Sequence, residues 1–424
     1  MLEQIEGSKA MAKAIALCRP QVVCAYPITP QTHIVEGVGD LVRMGKLTNC
    51  EFINVESEFA ALSVAIGASA AGARAYTATA SQGLLFMAEA VYNAAGLGLP
   101  IVMTLGNRAI GAPINIWNDH SDAMALCESG WIQLFAETNQ EAADLHIVAF
   151  RLAEELSVPT LVCVDGFILT HAVERLELPD QGAVDAFLPP FDPMQTLDPD
   201  DPISIGAMVG PDAFTEVRYL QFYKQRAALE IIETCGGEFL RRFGRASGGL
   251  LREYATSGAD VIVVAMGSLN GTIKDVVDEM RAEGASIGLV TLVTFRPFPE
   301  AALREALAQA RDVIVIEKAL DVGLGGPLAS NVAIALRGLP HSPRMHSAIA
   351  GLGGRSIPKA ALHRLFRQAT MQPWEGPHFL DLNEPVVARE LHRRGKARRA
   401  GPAAEAVLKD LERERVEKFA ERVR

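Results

Sequence analysis

The sequence predicts an α/β protein built on doubly wound parallel sheets, and three observations carry that expectation. Short β-rich runs alternate with helical patterns from the first residues onward. Several of those runs are apolar without a break, as parallel strands covered on both faces must be. The same alternation starts again at residue 259, after an interruption rich in Pro and Asp.

In order, the first set of candidate strands is 21–25 ("QVVCA"), 51–55 ("EFINV"), 74–79 ("RAYTAT"), 100–105 ("PIVMTL"), 131–136 ("WIQLFA") and 160–164 ("TLVCV"). Between them lie helical patterns near 7–17, 31–44, 58–71, 82–95 and 140–156. After Asp165-Gly166 this rhythm stops, and 176–202 (ending in "LPPFDPMQTLDPDDP") reads as an extended arm over a surface. A helix follows over 213–243. The second α/β unit has strands at 261–265, 286–292, 313–317 and 345–349. The tail from residue 388 carries a basic cluster, "RELHRRGKARRAG", and then a charged helix to residue 424. The expected division is therefore 1–170, an arm and helix over 171–250, a second α/β domain over 251–380, and a tail over 381–424.

Composition narrows the function. The chain has 424 residues, 49% hydrophobic and 21% charged, as in ordinary globular proteins with sizeable cores. A net charge of −11 argues against nucleic acid or anionic lipid as the main partner. No apolar stretch is long enough to span a bilayer, and residues 1–20 lack a signal-peptide layout, so the expected location is the cytoplasm. None of the six cysteines stands in a C-x-x-C pair, so no zinc site or iron–sulfur cluster is encoded here.

Ligands of doubly wound sheets sit beyond the strand C-termini, here 26–31, 56–58, 80–83 and 106–110. In "AYPITPQT" two prolines bracket Ile28-Thr29, and Pro30 pushes Thr29 out of the α region, holding its hydroxyl on a rigid turn. The same hydroxyl suits capping of the next helix. In "GNRAIGAPINIWNDHSDA", Arg108 falls just past a strand end, where a guanidinium can grip a carboxylate by two hydrogen bonds. Gly106, Asn107 and Gly111 beside it suit close approach of backbone to a ligand. Asp119, His120 and Asp122 read as hydrogen-bonding fixtures of that loop rather than as metal ligands. In "NVESEFAALSVAIGASAAGARAYTATASQG", Glu58 opens a helix made of small residues. Alone it would only favour the helix dipole, but three such edge segments in one sheet describe a pocket. Nucleophile patterns, a G-x-G-x-x-G fingerprint and a P-loop are absent.

Taken together, "YPITPQT", "NVESE", "TATASQGL", "NRAIGAPINIWNDHSD", "GWIQLFAETNQEA", "LDPDDPISIGAMVGP" and "TFRPFP" resemble the α subunit of 2-oxoacid:ferredoxin oxidoreductases, the pyruvate enzymes above all. The resemblance runs over roughly residues 1–380 and leaves the basic tail outside it. It implies a thiamine-diphosphate pyrimidine-binding domain followed by a transketolase C-terminal-like domain. It also implies cleavage of a 2-oxoacid to carbon dioxide and an acyl-CoA, with two electrons passed to ferredoxin.

By the same resemblance, Glu58 is the glutamate that hydrogen-bonds N1′ of the aminopyrimidine, with Glu56 as the alternative. Arg108 holds the substrate carboxylate, Thr29 hydrogen-bonds the substrate, and Pro27 contacts the aminopyrimidine through its backbone. Gln82 and Asn107 are further neighbours of the cofactor. No G-D-G diphosphate-magnesium motif and no cysteine cluster is present, and the family carries both on other subunits. The expectation is an enzyme active only in a complex. A β subunit would complete the thiamine site beside γ and ferredoxin-like δ subunits, with Mg²⁺ and iron–sulfur clusters on these partners and coenzyme A as co-substrate. Branched-chain, 2-oxoglutarate, aryl-glyoxylate and oxalate enzymes share the motifs. A non-catalytic scaffold keeping the fold is the reading from another class, which the joint presence of Glu58, Thr29 and Arg108 opposes.

Overall fold

A computed structural model describes residues 2–202, 204–339, 341–394 and 404–423. The chain forms two compact units, 1–378 and 379–424. In the first, β1 (Leu2–Glu6) is followed by β2 (Val22–Ala25), β3 (Glu51–Asn54), β4 (Ala75–Thr79), β5 (Val102–Asn107), β6 (Ile132–Phe135) and β7 (Thr160–Asp165). Next come β8 (Val173–Glu177), β9 (Leu251–Tyr254), β10 (Val261–Ala265), β11 (Ile287–Leu292), β12 (Thr294–Arg296), β13 (Asp312–Glu317) and β14 (Arg344–Ile349).

The first sheet has the order β3-β2-β4-β5-β7-β6-β12, parallel except for β12, which runs antiparallel to β6. In the second sheet β14, β13, β10, β11 and β9 are neighbours in that order, and among these five β9 alone is antiparallel. Buried strands need apolar side chains on both faces, and β7 shows the division. Val162 and Val164 join a core with the helices Gly7–Leu17, Thr32–Arg43 and Asn139–Leu156. Leu161 and Cys163 join a second core shared with Ile262, Val264, Val290 and Val313 of the other sheet.

The stretch 176–202 departs from the extended arm that its composition suggests. It opens in β8, which pairs with β1, and continues into a helix, Gln181–Phe187, that buries Val184 and Phe187 in the first core. Apart from the short link 178–180, irregular backbone starts at Leu188, because two buried apolar residues outweigh the surrounding Pro and Asp. The arm helix, Phe214–Phe243, is buried along its second half at Ala228, Ile232, Cys235 and Phe239, while Phe214, Tyr219, Phe222 and Tyr223 stay exposed. The helical run expected over 82–95 is two helices, Ser81–Phe86 and Ala88–Leu97, meeting at Met87. The first is tied to the strand-end loops described below, and the second packs Val91 and Ala94 into the core.

The second unit holds the helices Glu384–Arg394 and Ala404–Val423, joined by Arg389 to Asp410 (3.0 Å) and Glu414 (2.5 Å). Most of the basic cluster, 395–403, lies outside the described residues. Among the described residues no helix is long and apolar enough to cross a membrane.

Candidate active site

The site lies where β2, β4 and β5 end. Asn107 closes β5, and its side-chain amide donates to Asp122 Oδ1 at 2.9 Å. The Ala123 amide reaches the same oxygen at 2.8 Å. Asp122 Oδ2 accepts the backbone amides of Ser81 and Arg108, each at 3.0 Å. One fully buried carboxylate thus ties the loop after β4 to the loop after β5. Ser81 adopts a left-handed φ of +47°, uncommon for a residue with a Cβ, and its hydroxyl lies 2.6 Å from the Ala109 carbonyl. Burial pushes the Asp122 carboxyl up to about 6, and the hydrogen bonds from Asn107, Arg108 and Ser81 only partly offset it.

Arg108 is 6% exposed, with Nε donating to the Asn115 carbonyl (3.1 Å) and Nη1 to the Thr29 carbonyl (3.0 Å). The turn after β2 and the loop after β5 therefore meet at this guanidinium. Two of its five N–H donors are used, and it has no ion-pair partner among the described residues. Burial lowers its pKa and the Asp122 charge raises it.

Glu58 begins the helix Glu58–Ala70, whose N-cap Ser57 accepts from the Ala60 amide at 3.2 Å. At 8% exposure its carboxylate has no hydrogen-bond or ion-pair partner among the described residues. It packs on Gly83, where an added Cβ would stand 2.7 Å from Glu58 Oε1 and 2.6 Å from Thr79 Oγ1. Gln82 lies against Gly111 across the same rim. The structure thus gathers Glu58, Gln82, Asn107, Arg108 and Thr29 along one edge. It separates Glu56, which is exposed. Pro27 sits exposed on the β2 turn, and no hydrogen bond ties it to the others among the described residues.

Asp119, His120 and Asp122 act as fixtures, each in a different direction. Asp119 Oδ2 accepts the Gly353 amide (3.1 Å), and Asn115 donates to the Gly353 carbonyl (3.2 Å), docking the loop on the second α/β region. The His120 ring meets Asp165 at 2.7 Å. Gln31 was not foreseen as a site residue. It is fully buried, its amide donating to the Tyr26 carbonyl at 2.9 Å while its Oε1 has no partner. Its place directly after the Pro-bracketed turn was the only signal available.

Residues 13–235 match the family described as pyruvate flavodoxin/ferredoxin oxidoreductase, thiamine diphosphate-binding, and residues 259–361 match pyruvate:ferredoxin oxidoreductase core domain II. Pyruvate synthase subunit PorA of Methanosarcina barkeri is 44% identical over 390 residues, 90% of this chain and 97% of that one. The chain belongs to the 2-oxoacid:ferredoxin oxidoreductase α-subunit family. It is accordingly one subunit of a thiamine-diphosphate-dependent oxidoreductase made of several chains. Ketoisovalerate oxidoreductase subunit VorA of Pyrococcus horikoshii is 40% identical over 354 residues, 83% of this chain and 90% of that one. A solved structure, 2-oxoglutarate:ferredoxin oxidoreductase from Magnetococcus marinus with 2-oxoglutarate, coenzyme A and succinyl-CoA bound, shares the fold at TM-score 0.69 and 18% identity. That match covers 87% of this chain and 65% of the solved chain, so this α subunit spans about two thirds of its length.

Proposed function

We propose that this α subunit supplies the pyrimidine half of a thiamine diphosphate site that oxidises pyruvate to acetyl-CoA and carbon dioxide. Glu58 serves as the group on N1′, and Arg108 and Thr29 hold the substrate. The observation that carries the reading is Glu58 itself: a residue 8% exposed whose carboxylate has no partner among the described residues, at a helix N-terminus, packed so closely on Gly83 that a Cβ there would meet its Oε1 at 2.7 Å. The orphaned Asn107 Oδ1 and Gln31 Oε1 on the same edge also fit a polar heterocycle. When bound, thiamine diphosphate supplies a nucleophilic carbon and an electron sink for decarboxylation. Glu58 then shares a proton with the pyrimidine nitrogen. Arg108 offers its unused N–H donors to the substrate carboxylate, and the Thr29 turn is held to it through the 3.0 Å carbonyl contact.

Magnesium and iron–sulfur clusters belong on partner subunits in this reading: a β subunit completing the site, and γ and ferredoxin-like δ subunits passing electrons to ferredoxin. The cysteines support that division. Burial pushes the thiols of Cys24 and Cys50 up to about 11 and Cys235 to about 12, and raises Cys18 and Cys163 further, as for small core side chains, and no group of three or more His, Cys, Asp or Glu among the described residues is placed to hold a metal. Pyruvate is favoured over a branched-chain 2-oxoacid by the 44% against 40% identity, and a panel of 2-oxoacids with a viologen acceptor decides between them.

The test of the cofactor assignment is Glu58→Gln in the assembled complex. The amide cannot share the N1′ proton, so hydrogen–deuterium exchange at the thiazolium carbon should slow by about 10²–10⁴-fold with the fold intact. Exchange at the wild-type rate would remove Glu58 from this role.

A further inference from the structure

We propose that Asp122 is a positioning residue for substrate binding: it aims Arg108 at the 2-oxoacid carboxylate by clamping the loop that carries it. The inference rests on Arg108 being the carboxylate-binding group and adds to it what holds that group in place.

Four N–H donors from three chain segments converge on this one side chain: Ser81, Asn107, Arg108 and Ala123, at 2.8 to 3.0 Å. A carboxylate is the side chain suited to this, since both its oxygens only accept when ionised. The clamp fixes the Arg108 backbone, and the Asn115 and Thr29 carbonyls then fix the direction of the guanidinium. Those two partners are neutral. The arginine is thus a buried cation without an ion pair, which costs free energy until an anion arrives. Asp122 is close enough to favour its charged form but is occupied by backbone and amide donors, so it does not compete with the substrate for the guanidinium. A purely packing role would call for an apolar side chain, because an isolated ionised carboxylate at zero exposure is expensive to bury.

Asp122→Asn, made in the assembled complex, is the first test. The introduced amide keeps the size of the side chain, and Asn107 can turn its orphaned Oδ1 toward it, so Ser81 and Arg108 keep their acceptor while the Ala123 amide and the turned Asn107 amide lose theirs. Misplacing a binding group by about 1 Å costs up to roughly 10²-fold. KM for the 2-oxoacid should therefore rise by about 10- to 100-fold with kcat little changed. Arg108→Met alone should raise KM by roughly 10–150-fold and abolish the preference for the acid over the corresponding aldehyde. Added to Arg108→Met, Asp122→Asn should cost nothing further, because the two act as one unit.

Additive effects in the double variant, or an unchanged KM in Asp122→Asn, would overturn the positioning role while leaving Arg108 as the carboxylate group. An Arg108→Met enzyme that still prefers the acid would overturn both. Should Asp122→Asn fail to assemble, the pH dependence of the wild-type KM replaces it. Asp119 and Arg108 are the charged groups near Asp122, the buried Cys163 thiol of β7 is a further titratable neighbour that Asp122 helps keep protonated, and the partners at Ser81, Asn107 and Ala123 are neutral. Protonation of Asp122 below about pH 6 should raise KM in wild type and leave it flat in Arg108→Met. A flat wild-type profile overturns the proposal.

Discussion

The strand-end rim and the seam between the two sheets are each organised by a buried aspartate, and the two carboxyls ionise on opposite sides of their ordinary value. At the rim, Asp122 receives only N–H dipoles, and burial wins, lifting it to about 6. At the seam, Asp165 closes β7 and meets His120 (2.7 Å), the Ser268 amide (2.8 Å) and the Lys318 ammonium (2.9 Å). Burial alone would raise it too, but the Lys318 charge and the His120 ring hold it well below the usual carboxylate range. Both side chains are fully buried, so exposure does not distinguish them. The partner's charge does. A full cation makes a strong joint between elements far apart in sequence, whereas dipoles alone make a clamp that holds a loop in place with the carboxyl close to its protonation point.

The sharpest way to break this contrast is to remove the seam's cation. Lys318→Met leaves a buried carboxylate without its countercharge, which should cost about 3–5 kcal/mol. Asp122→Asn, which leaves no charge unpaired and only N–H donors unmet, should cost about 1–3 kcal/mol. Urea unfolding of both variants measures the difference, and equal losses would erase the distinction.

An effect smaller than that of Lys318→Met and similar to that of Asp122→Asn is expected at Gly83, which belongs to the rim and packs on Glu58. In Gly83→Ala the new Cβ would crowd Glu58 Oε1 at 2.7 Å and Thr79 Oγ1 at 2.6 Å. The overpacking should cost about 1–3 kcal/mol. Exchange at the thiazolium carbon of the complex should slow toward the Glu58→Gln value, while the seam variant leaves that rate unchanged.

The smallest effect is in pH dependence, where the two aspartates should move in opposite directions. Asp122 has a raised folded pKa, so its folded form holds the proton more tightly than the unfolded chain. Its contribution to stability therefore falls as pH rises from about 4, where the unfolded group ionises, to about 6. The gap in unfolding free energy between wild type and Asp122→Asn should narrow over that window. Asp165 has a depressed folded pKa, and its contribution is complete above about pH 4 and is lost only as pH falls further. The gap between wild type and Asp165→Asn should stay level from pH 4 to 7 and shrink below pH 4. Unfolding at stepped pH reads both slopes.

What the sequence determined by itself was local. Continuous apolar runs placed β2, β4, β5, β7, β10, β11 and β13 to within a residue or two, because a strand buried on both faces must be apolar throughout. The short polar strands β1 ("LEQIE") and β8 ("VERLE") carry no such signal and escaped notice, as did β9 and β12. Glu58, Arg108 and Thr29 stood out as candidates because each lies just past a strand end, and a strand end in a parallel sheet fixes which edge a residue occupies.

The tertiary structure decided everything that depends on two distant segments meeting. It buried Glu58 against Gly83 and left Glu56 in solvent. It joined Thr29 to Arg108 across 79 positions and brought Asp165 to Lys318 across 153. It turned three polar neighbours, Asp119, His120 and Asp122, toward three different partners: the Gly353 loop, the seam and the rim. A carboxylate's surroundings set its charge state and its task, and in a parallel sheet those surroundings come from crossovers remote in sequence. Two aspartates with the same covalent structure therefore became a clamp and a joint only once the chain had folded.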